Sequence, residues 1–469
     1  MKLYAAALNF RPIAEEFEVP TEFSAELHRE AKQCTDRFAG QRHDRRDIEF
    51  VTIDPVGSMD LDQAVCIARS SDGYRVYYAI ADVAAFIAPS SALAAESIKR
   101  GQTIYLPDEP ARLHPEEISE GAASLLPDVD RPAVLWTIDL DGAGEVVRHN
   151  VERAVVRSRA RLDYDGVQHD YEHGQLHPSV ALLPDVGKLR QESALRRSAV
   201  NLRLPSQRVD RREDGTYELE LEPRLPVMEW NSEISLLTGM IAGQMMAQAR
   251  RGFLRTLGPA DEKSLKAFAI EARALGYDFD RFQSVGEFLA RVDVAEIRGM
   301  AIMREAQKLL RGADYVYFGV NADAPTADDV HAGVGGYYAH VTAPLRRLAD
   351  RFATEVCLAI QAGTPVPSWV DERATDVVES MRRTSALAGN VDRACLRLTE
   401  ATVLAPYVGE KFSAVVLAAE PAKGKSRIFV DNPPLLCGCE GAPEEGTRVN
   451  VRLKDTDISH RTVTFAWEG

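Results

Sequence analysis

The segment Ile48-Glu-Phe-Val-Thr-Ile-Asp54-Pro-Val-Gly-Ser-Met-Asp60-Leu-Asp62-Gln63 constrains this chain more than any other. An alternating apolar run, read as a strand, leads into a loop containing Gly57 that places three carboxylates within nine residues. Like charges a few ångströms apart raise one another's pKa, so the crowding is unfavourable unless a cation is bound. Carboxylate oxygens suit a hard ion such as Mg²⁺, with water completing its shell. Two such ions about 3.5 to 4 Å apart can activate a water and stabilise a leaving oxygen in an in-line attack on a phosphodiester. An Asp-x-Asp phosphatase nucleophile would instead end a hydrophobic strand. Asp60 follows Gly-Ser-Met, and Asp54, which does end the strand, lacks an aspartate two residues on. The plain alternative is three aspartates on a solvated loop.

A second segment runs from His331 through Gly333, Gly335, Gly336, Tyr338 and His340 to Pro344-Leu-Arg346-Arg347-Leu-Ala-Asp350-Arg351. Pro344 suits a first helical position, which predicts a helix from there with Leu345, Leu348, Phe352, Val356 and Ile360 as its apolar stripe. Arg346 and Arg347 would then occupy the first turn, where the helix dipole disfavours cations unless an anion also binds. The planar arginine fork can pair with two phosphate oxygens. An ordinary i, i+4 pair of Arg346 with Asp350 is the alternative.

At 469 residues the chain exceeds the ~250 to 300 at which one core stops growing, so two or three domains are expected. No apolar run approaches the ~18 residues of a membrane span, and no signal-peptide pattern opens the sequence, which predicts a cytoplasmic protein with no membrane segment. A net charge of −15 argues against coating nucleic acid through a general positive field. It is compatible with threading one strand through a local basic channel. Of six scattered cysteines only Cys437 and Cys439 are close, without the second pair or histidines a zinc site needs, so reduced thiols are expected.

The fold class expected is α+β, a mixed catalytic body followed by a small all-β barrel. Residues 1–47 are polar, with AELHREAKQ as one short helix, and read as an appendage. Residues 48–406 form the body. QAVCIARS and YRVYYAIA flank a Ser-Asp-Gly turn as a hairpin, SALAAESIKR is a helix, and the Pro-rich YLPDEPARLHPEE is a loop or channel wall. AVLWTIDL and YELELEP follow as strands, with helices near 229–256, 261–275, 295–312, 344–362 and 370–400. Residues 407–469, with KFSAVVLA, SRIFVD, TRVNVRLKD and RTVTFAW, have the texture of an OB-type barrel. Lys411, Lys423, Lys425, Arg427, Arg448 and Arg452 are its candidate nucleic-acid face, against scattered surface charge as the alternative.

Four segments occur in one order: FVTIDPVGSMDLDQA, YAIADVAAFI, IYLPDEPARLHPEEIS and YAHVTAPLRRLAD. Together they resemble the ribonuclease II and ribonuclease R family of bacterial type, whose catalytic RNB domain is followed by an RNA-binding OB domain, over roughly residues 48–405. The resemblance implies a monomeric exoribonuclease that degrades the 3′ end of single-stranded RNA to nucleoside 5′-monophosphates, dependent on Mg²⁺ with Mn²⁺ as a substitute. It implies that Asp54, Asp60 and Asp62 bind the metal and the scissile phosphate, and that Asp62, Asp60 and Arg346 form the catalytic set, Asp62 the most critical. Tyr105 matches the aromatic that stacks on the last base. Tyr164 and Glu233 match residues that contact the ribose, and Arg347 and Tyr338 complete the RNA-binding set.

Three departures from the family pattern stand out. Gln63 replaces a fourth aspartate and offers the metal a neutral carbonyl oxygen. A second base-stacking aromatic, expected near Leu202 to Pro205, is replaced by an aliphatic residue. In this sequence 47 residues precede the catalytic body, too few for paired cold-shock barrels, which predicts a wider approach and tolerance of a nearby duplex. An RNA-binding protein of the same fold, weakened in catalysis through Gln63, is the alternative function.

Overall fold

The computed structural model describes residues 4–5, 8–203, 207–212, 214–221, 225–280, 282–294, 296–320, 322–430, 432–433 and 435–469. A sheet that closes on itself carries the acidic segment. Strand Phe50–Asp54 pairs with Gln63–Arg69, that strand with Gly73–Ala81, and Gly73–Ala81 with Asp130–Asp141, all antiparallel. The 18-residue strand Val146–Asp163 completes the ring, antiparallel to Asp130–Asp141 at its start and parallel to Phe50–Asp54 at its end. Both faces are covered, which is why the strands read as near-continuous apolar runs. Val51, Ile53, Val65, Val76, Val134 and Trp136 pack against the helices Pro226–Ala249 and Leu348–Ala362. Phe50, Leu61, Ala79 and Leu135 face a second core with Leu93, Leu125 and Leu345.

Three helices, Glu262–Ala274, Val285–Ala290 and Ile297–Ala306, bury their own small core around Phe268, Phe288 and Ile302. The helix Ser368–Leu404 runs 37 residues and delivers the chain to a closed five-stranded barrel. Its strands are Lys411–Glu420, Lys425–Val430, Leu435–Glu440, Arg448–Asp457 and Thr462–Ala466. Leu435–Glu440 escaped the sequence reading because its Cys-Gly-Cys core shows no alternation of apolar and polar residues. All six cysteines are unpaired thiols. Midway along the long helix, the Thr384 carbonyl accepts from Gln102 Nε2 at 2.8 Å, which ties the segment leading to Tyr105 to the same rod. Among the described residues no helix is long and apolar enough to cross a membrane.

Several boundaries differ from expectation. The helix expected near 229–256 ends at Ala249: Arg250 turns left-handed (φ 50°) and Gly252 (φ 124°) starts the strand Gly252–Thr256, which pairs with Asp314–Phe318. The helix expected from Pro344 starts at Leu348. The first 47 residues are not an appendage. They form two helices, Arg11–Glu16 and Ala25–Gln33, and bury Phe10, Ile13 and Val19 against Ile104, Leu106, Tyr217 and Val391. Phe10 meets Tyr217 edge-on at 5.3 Å. The buried Arg42, paired within the segment with Asp36 at 2.5 Å, joins it to the body through Asp82 at 2.8 Å. Because Phe10 is wholly buried, Phe10→Ala is expected to cost about 3–5 kcal/mol in urea unfolding. A loss below about 1 kcal/mol would show that the segment is an appendage after all.

Candidate active site

Each acid is positioned by its backbone. Asp54 ends its strand, and Gly57 (φ 87°) lets the chain reverse, with Ser58 N–H donating to the Pro55 carbonyl at 3.1 Å. Leu61, between two aspartates, is sunk in the core. Its N–H donates to Ser124 Oγ at 3.0 Å, that hydroxyl donates to the Met59 carbonyl at 2.6 Å, and the Leu61 carbonyl accepts from Leu125 N–H at 3.0 Å. The Asp62 carbonyl accepts from Ala81 N–H at 2.9 Å. The loop is therefore stapled on two sides, and the aspartates cannot swing away to relieve their repulsion.

The arginine segment is held as firmly, by a different geometry from the one expected. The Ala343 carbonyl accepts from the N–H groups of Arg346 (3.2 Å) and Arg347 (2.9 Å), closing a turn. Arg347 is then extended (φ −137°, ψ 125°) and bridges Gln102. Thr103 N–H donates to the Arg346 carbonyl at 3.0 Å and Leu348 N–H to the Gly101 carbonyl at 2.9 Å. That pairing is incompatible with a helix through 344–347 and explains the late start. The fully buried Asp350 carboxylate accepts from Ala343 N–H at 2.7 Å and takes both ends of the Arg347 fork at 3.0 and 2.9 Å. Arg346 is left facing the acids, its Nε 3.4 Å from Asp62 Oδ2, while Leu345 N–H donates to Asp62 Oδ1 at 2.8 Å.

The expected site residues thus divide. Asp54, Asp60, Asp62, Arg346 and Tyr105 come together, with Tyr105 half-exposed beside Arg346. Tyr164 borders them, its hydroxyl accepting from Asn231 Nδ2 at 3.3 Å and within reach of the charges of Asp54 and Arg346. Arg347, expected at the RNA, is instead spent on Asp350. Tyr338, also expected there, is packed behind the arginine turn between His331 and His340, each ring 5.5 Å away. Glu233 lines a different cavity of about 580 Å³, facing Arg197, Asn201 and Leu202, and no residue of the acid cluster borders it. Residues 204 and 205, part of the stretch where an aliphatic replacement was expected, lie outside the described residues.

Gln63 also departs from expectation. Its Nε2 donates to the Thr342 carbonyl at 2.6 Å and its Oε1 accepts from Tyr78 O–H at 2.7 Å, so the amide is engaged by the protein at both ends. No local pattern pointed to Ser124. Tyr78 could have been found from the alternation of its strand, and Arg161, which donates to the Ser58 carbonyl at 3.1 Å, from its place on the strand beside Asp54.

Electrostatics sets the chemistry. Burial, reinforced by Asp60, pushes Asp54 up to about 6. Burial pushes Asp62, only 4% exposed, up to about 8 against the pull of Arg346 and Leu345 N–H. Asp60 is also raised by burial. Tyr105 is pushed up to about 12, first by burial. Burial works against the Arg346 charge, but Asp62, Tyr105 and Asp350 together outweigh it, so Arg346 holds its proton more tightly than usual. Asp54 Oδ2 is buried without a hydrogen-bond partner.

The RNB-domain family profile matches residues 42–358, two-thirds of the chain, and an RNase II-type exonuclease C-terminal S1 domain profile matches residues 410–468. The chain belongs to the RNB family. Ribonuclease R of Chlamydia trachomatis is 25% identical to this RNB protein over 431 residues, covering 89% of this chain and 60% of that one. The chain thus spans about three-fifths of the length of that curated relative. Mycoplasma genitalium RNase R, solved with ribose-methylated single-stranded RNA, superposes with a TM-score of 0.87 at 17% identity, over 98% of this chain and 77% of that one. Yeast Ssd1, described as a pseudonuclease, gives a TM-score of 0.69 at 14% identity, over 96% and 54%. Both likenesses establish the fold.

RNB-family exoribonucleases depend on a divalent metal in general. The donors here fit such an ion in kind: three carboxylates raised by burial and an orphaned Asp54 oxygen. Among the described residues, however, no three acidic, histidine or cysteine groups are drawn close enough to share an ion as they stand. Asp62 is turned toward Leu345 and Arg346. The raised acids make a stability prediction. Their folded pKa values lie above the ~3.9 of an unfolded aspartate, so they favour the folded state most at low pH and progressively less as pH rises from ~4 to ~8. In EDTA the melting temperature should therefore fall by roughly 1 to 4 °C between about pH 5 and about pH 8.5. Excess MgCl₂ should restore it mainly at the higher pH. A metal effect of equal size at both pH values would show that the ion binds elsewhere.

Proposed function

We propose that this chain is a Mg²⁺-dependent 3′-to-5′ exoribonuclease that hydrolyses single-stranded RNA to nucleoside 5′-monophosphates. One observation carries the reading: Arg346, half-exposed, stands 3.4 Å from a buried acid, within a cluster whose other acids include one unpartnered oxygen. A guanidinium needed only for packing would be buried with its carboxylate, as Arg347 is with Asp350. A divalent ion held by Asp54, Asp60 and Asp62 would supply Lewis acidity toward the scissile phosphate.

The chain's own groups do the rest. Asp62 holds Arg346 by one nitrogen, which leaves the terminal N–H groups to donate to phosphate oxygens as negative charge accumulates on them. The Tyr105 ring, 53% exposed, offers a flat surface on which the last base can stack whatever its identity. The Tyr164 hydroxyl is suited to a 2′-OH, the group that separates RNA from DNA. Arg347 is left out of this set because Asp350 takes its guanidinium, Tyr338 because it packs between two histidines, and Glu233 because it lines a separate cavity. The likeness to Mycoplasma genitalium RNase R, solved with single-stranded RNA, supports the choice of substrate.

A second reading, an RNA-binding protein without hydrolysis, is favoured by the engaged amide of Gln63 and by the likeness to yeast Ssd1. Incubation of 5′-labelled poly(A) with Mg²⁺ separates the two: an enzyme shortens the RNA, whereas a binder only shifts it on a gel. Asp62→Asn should abolish shortening and keep the shift. Arg346→Ala should lower kcat by about 10²- to 10³-fold with little change in KM. Intact RNA after incubation with either Mg²⁺ or Mn²⁺ would overturn the exoribonuclease reading in favour of the binder.

A further inference from the structure

Three of the chain's ten histidines, His169, His173 and His177, fall within nine residues. Residues 162–184 around them hold four acids and neither lysine nor arginine, so a cation meets no fixed positive charge from this stretch. His169 lies on the helix Tyr164–Glu172 and His173 at its C-terminal cap, spaced i, i+4. The helix buries its other face: Val167 is enclosed, Gln168 Oε1 accepts from Val227 N–H at 3.3 Å, and Tyr171 meets Trp230 edge-on at 4.9 Å. Both histidines are exposed, their ring centres 4.1 Å apart at an interplanar angle of 35°. The His169 carbonyl accepts from the backbone N–H of His173 at 3.2 Å and from its ring Nδ1 at 2.8 Å. A carbonyl only accepts, so Nδ1 carries a proton and, in the neutral ring, the Nε2 lone pair of His173 is available. A backbone carbonyl holding the second ring nitrogen is the arrangement that orients metal-bound histidines and raises their basicity. His177 is poled the other way: its Nδ1 accepts from Ser179 N–H at 3.3 Å, which puts the proton on Nε2. A helix cap would need His173 alone and gives no reason for a second ring beside it.

We propose that His169 and His173 together bind one Zn²⁺ ion through a ring nitrogen each. Nitrogen ligands select such a borderline ion over Mg²⁺, which prefers oxygen. Two nitrogens on a tetrahedral zinc at ~2.0 to 2.1 Å stand ~3.3 Å apart, a separation that rings 4.1 Å apart reach with a small rotation. Among the described residues no third acidic, histidine or cysteine group joins the pair, so water completes the shell. The helix starts at Tyr164, within reach of the charge of Asp54, and the ion closes its far turn. The site is independent of the exoribonuclease reading.

Copper is the probe of geometry, since nitrogen ligands bind it more tightly than zinc. With one equivalent of Cu²⁺ and excess MgCl₂, electron paramagnetic resonance of the full chain should show coupling to the ring nitrogens of two histidines. His169→Gln and His173→Gln should each remove one nitrogen and weaken binding at least about 10-fold. Both side chains are exposed, so neither substitution threatens the fold. Under the same excess of MgCl₂, Zn²⁺ should raise the melting temperature by roughly 1 to 4 °C in the wild type, in His177→Gln and in Asp62→Asn, and by less than about 1 °C in either of the other histidine variants. A zinc shift that survives both substitutions would overturn the site. So would a shift that vanishes in Asp62→Asn, which would place the ion among the acids, or a copper signal from one nitrogen or none in the wild type.

Discussion

The carboxylate of Asp62 joins parts of the chain 283 residues apart. One oxygen accepts from the backbone of Leu345 and the other faces Arg346, so the acidic loop and the arginine turn are one unit. Buried charge is unfavourable unless paired and hydrogen-bonded, and here the pairing is partial. The protein tolerates this because both partners are clamped from behind, the acids by Ser124 and Leu125 and the arginine by Asp350 and the Gly101–Thr103 segment. Charges that would separate in a flexible loop are held at short range, which is the preorganisation an electrostatic catalyst needs.

Much of this was legible in the sequence where a local pattern carries it. The hairpin after the acids, four of the five barrel strands and the long terminal helix follow from periodicity, because each element buries a face of regular spacing. The three aspartates were visible because their crowding is an anomaly that calls for an explanation. What the sequence did not show depends on contacts between distant segments. The late start at Leu348 is imposed by pairing with Gly101–Thr103, and no local propensity announces it. Arg347 and Tyr338 looked like ligand residues by position, yet tertiary packing assigns the first to Asp350 and the second to two histidines. The N-terminal segment looked too polar to matter, since its few apolar side chains are spaced to fill a crevice rather than to stripe a helix.

Gln63 stands where the resemblance leads one to expect a fourth aspartate. A fourth aspartate there would face the Tyr78 hydroxyl and the Thr342 carbonyl, and a carboxylate beside a carbonyl oxygen is repelled. The amide instead donates to one and accepts from the other. Gln63 thus ties the acidic loop to the arginine segment by a second bond beside that of Asp62.

The 37-residue helix has a mechanical consequence. From Thr384, which grips Gln102, to its end at Leu404 the helix spans about 30 Å at 1.5 Å per residue, and beyond that end comes the barrel. Tyr105 and the barrel are therefore mounted on one rigid beam, with the spacing between them set by a count of helical turns. On the proposed reading, the stub of RNA too short to reach from one mount to the other is measured by that beam, as a gauge block fixes the smallest part a machine can hold.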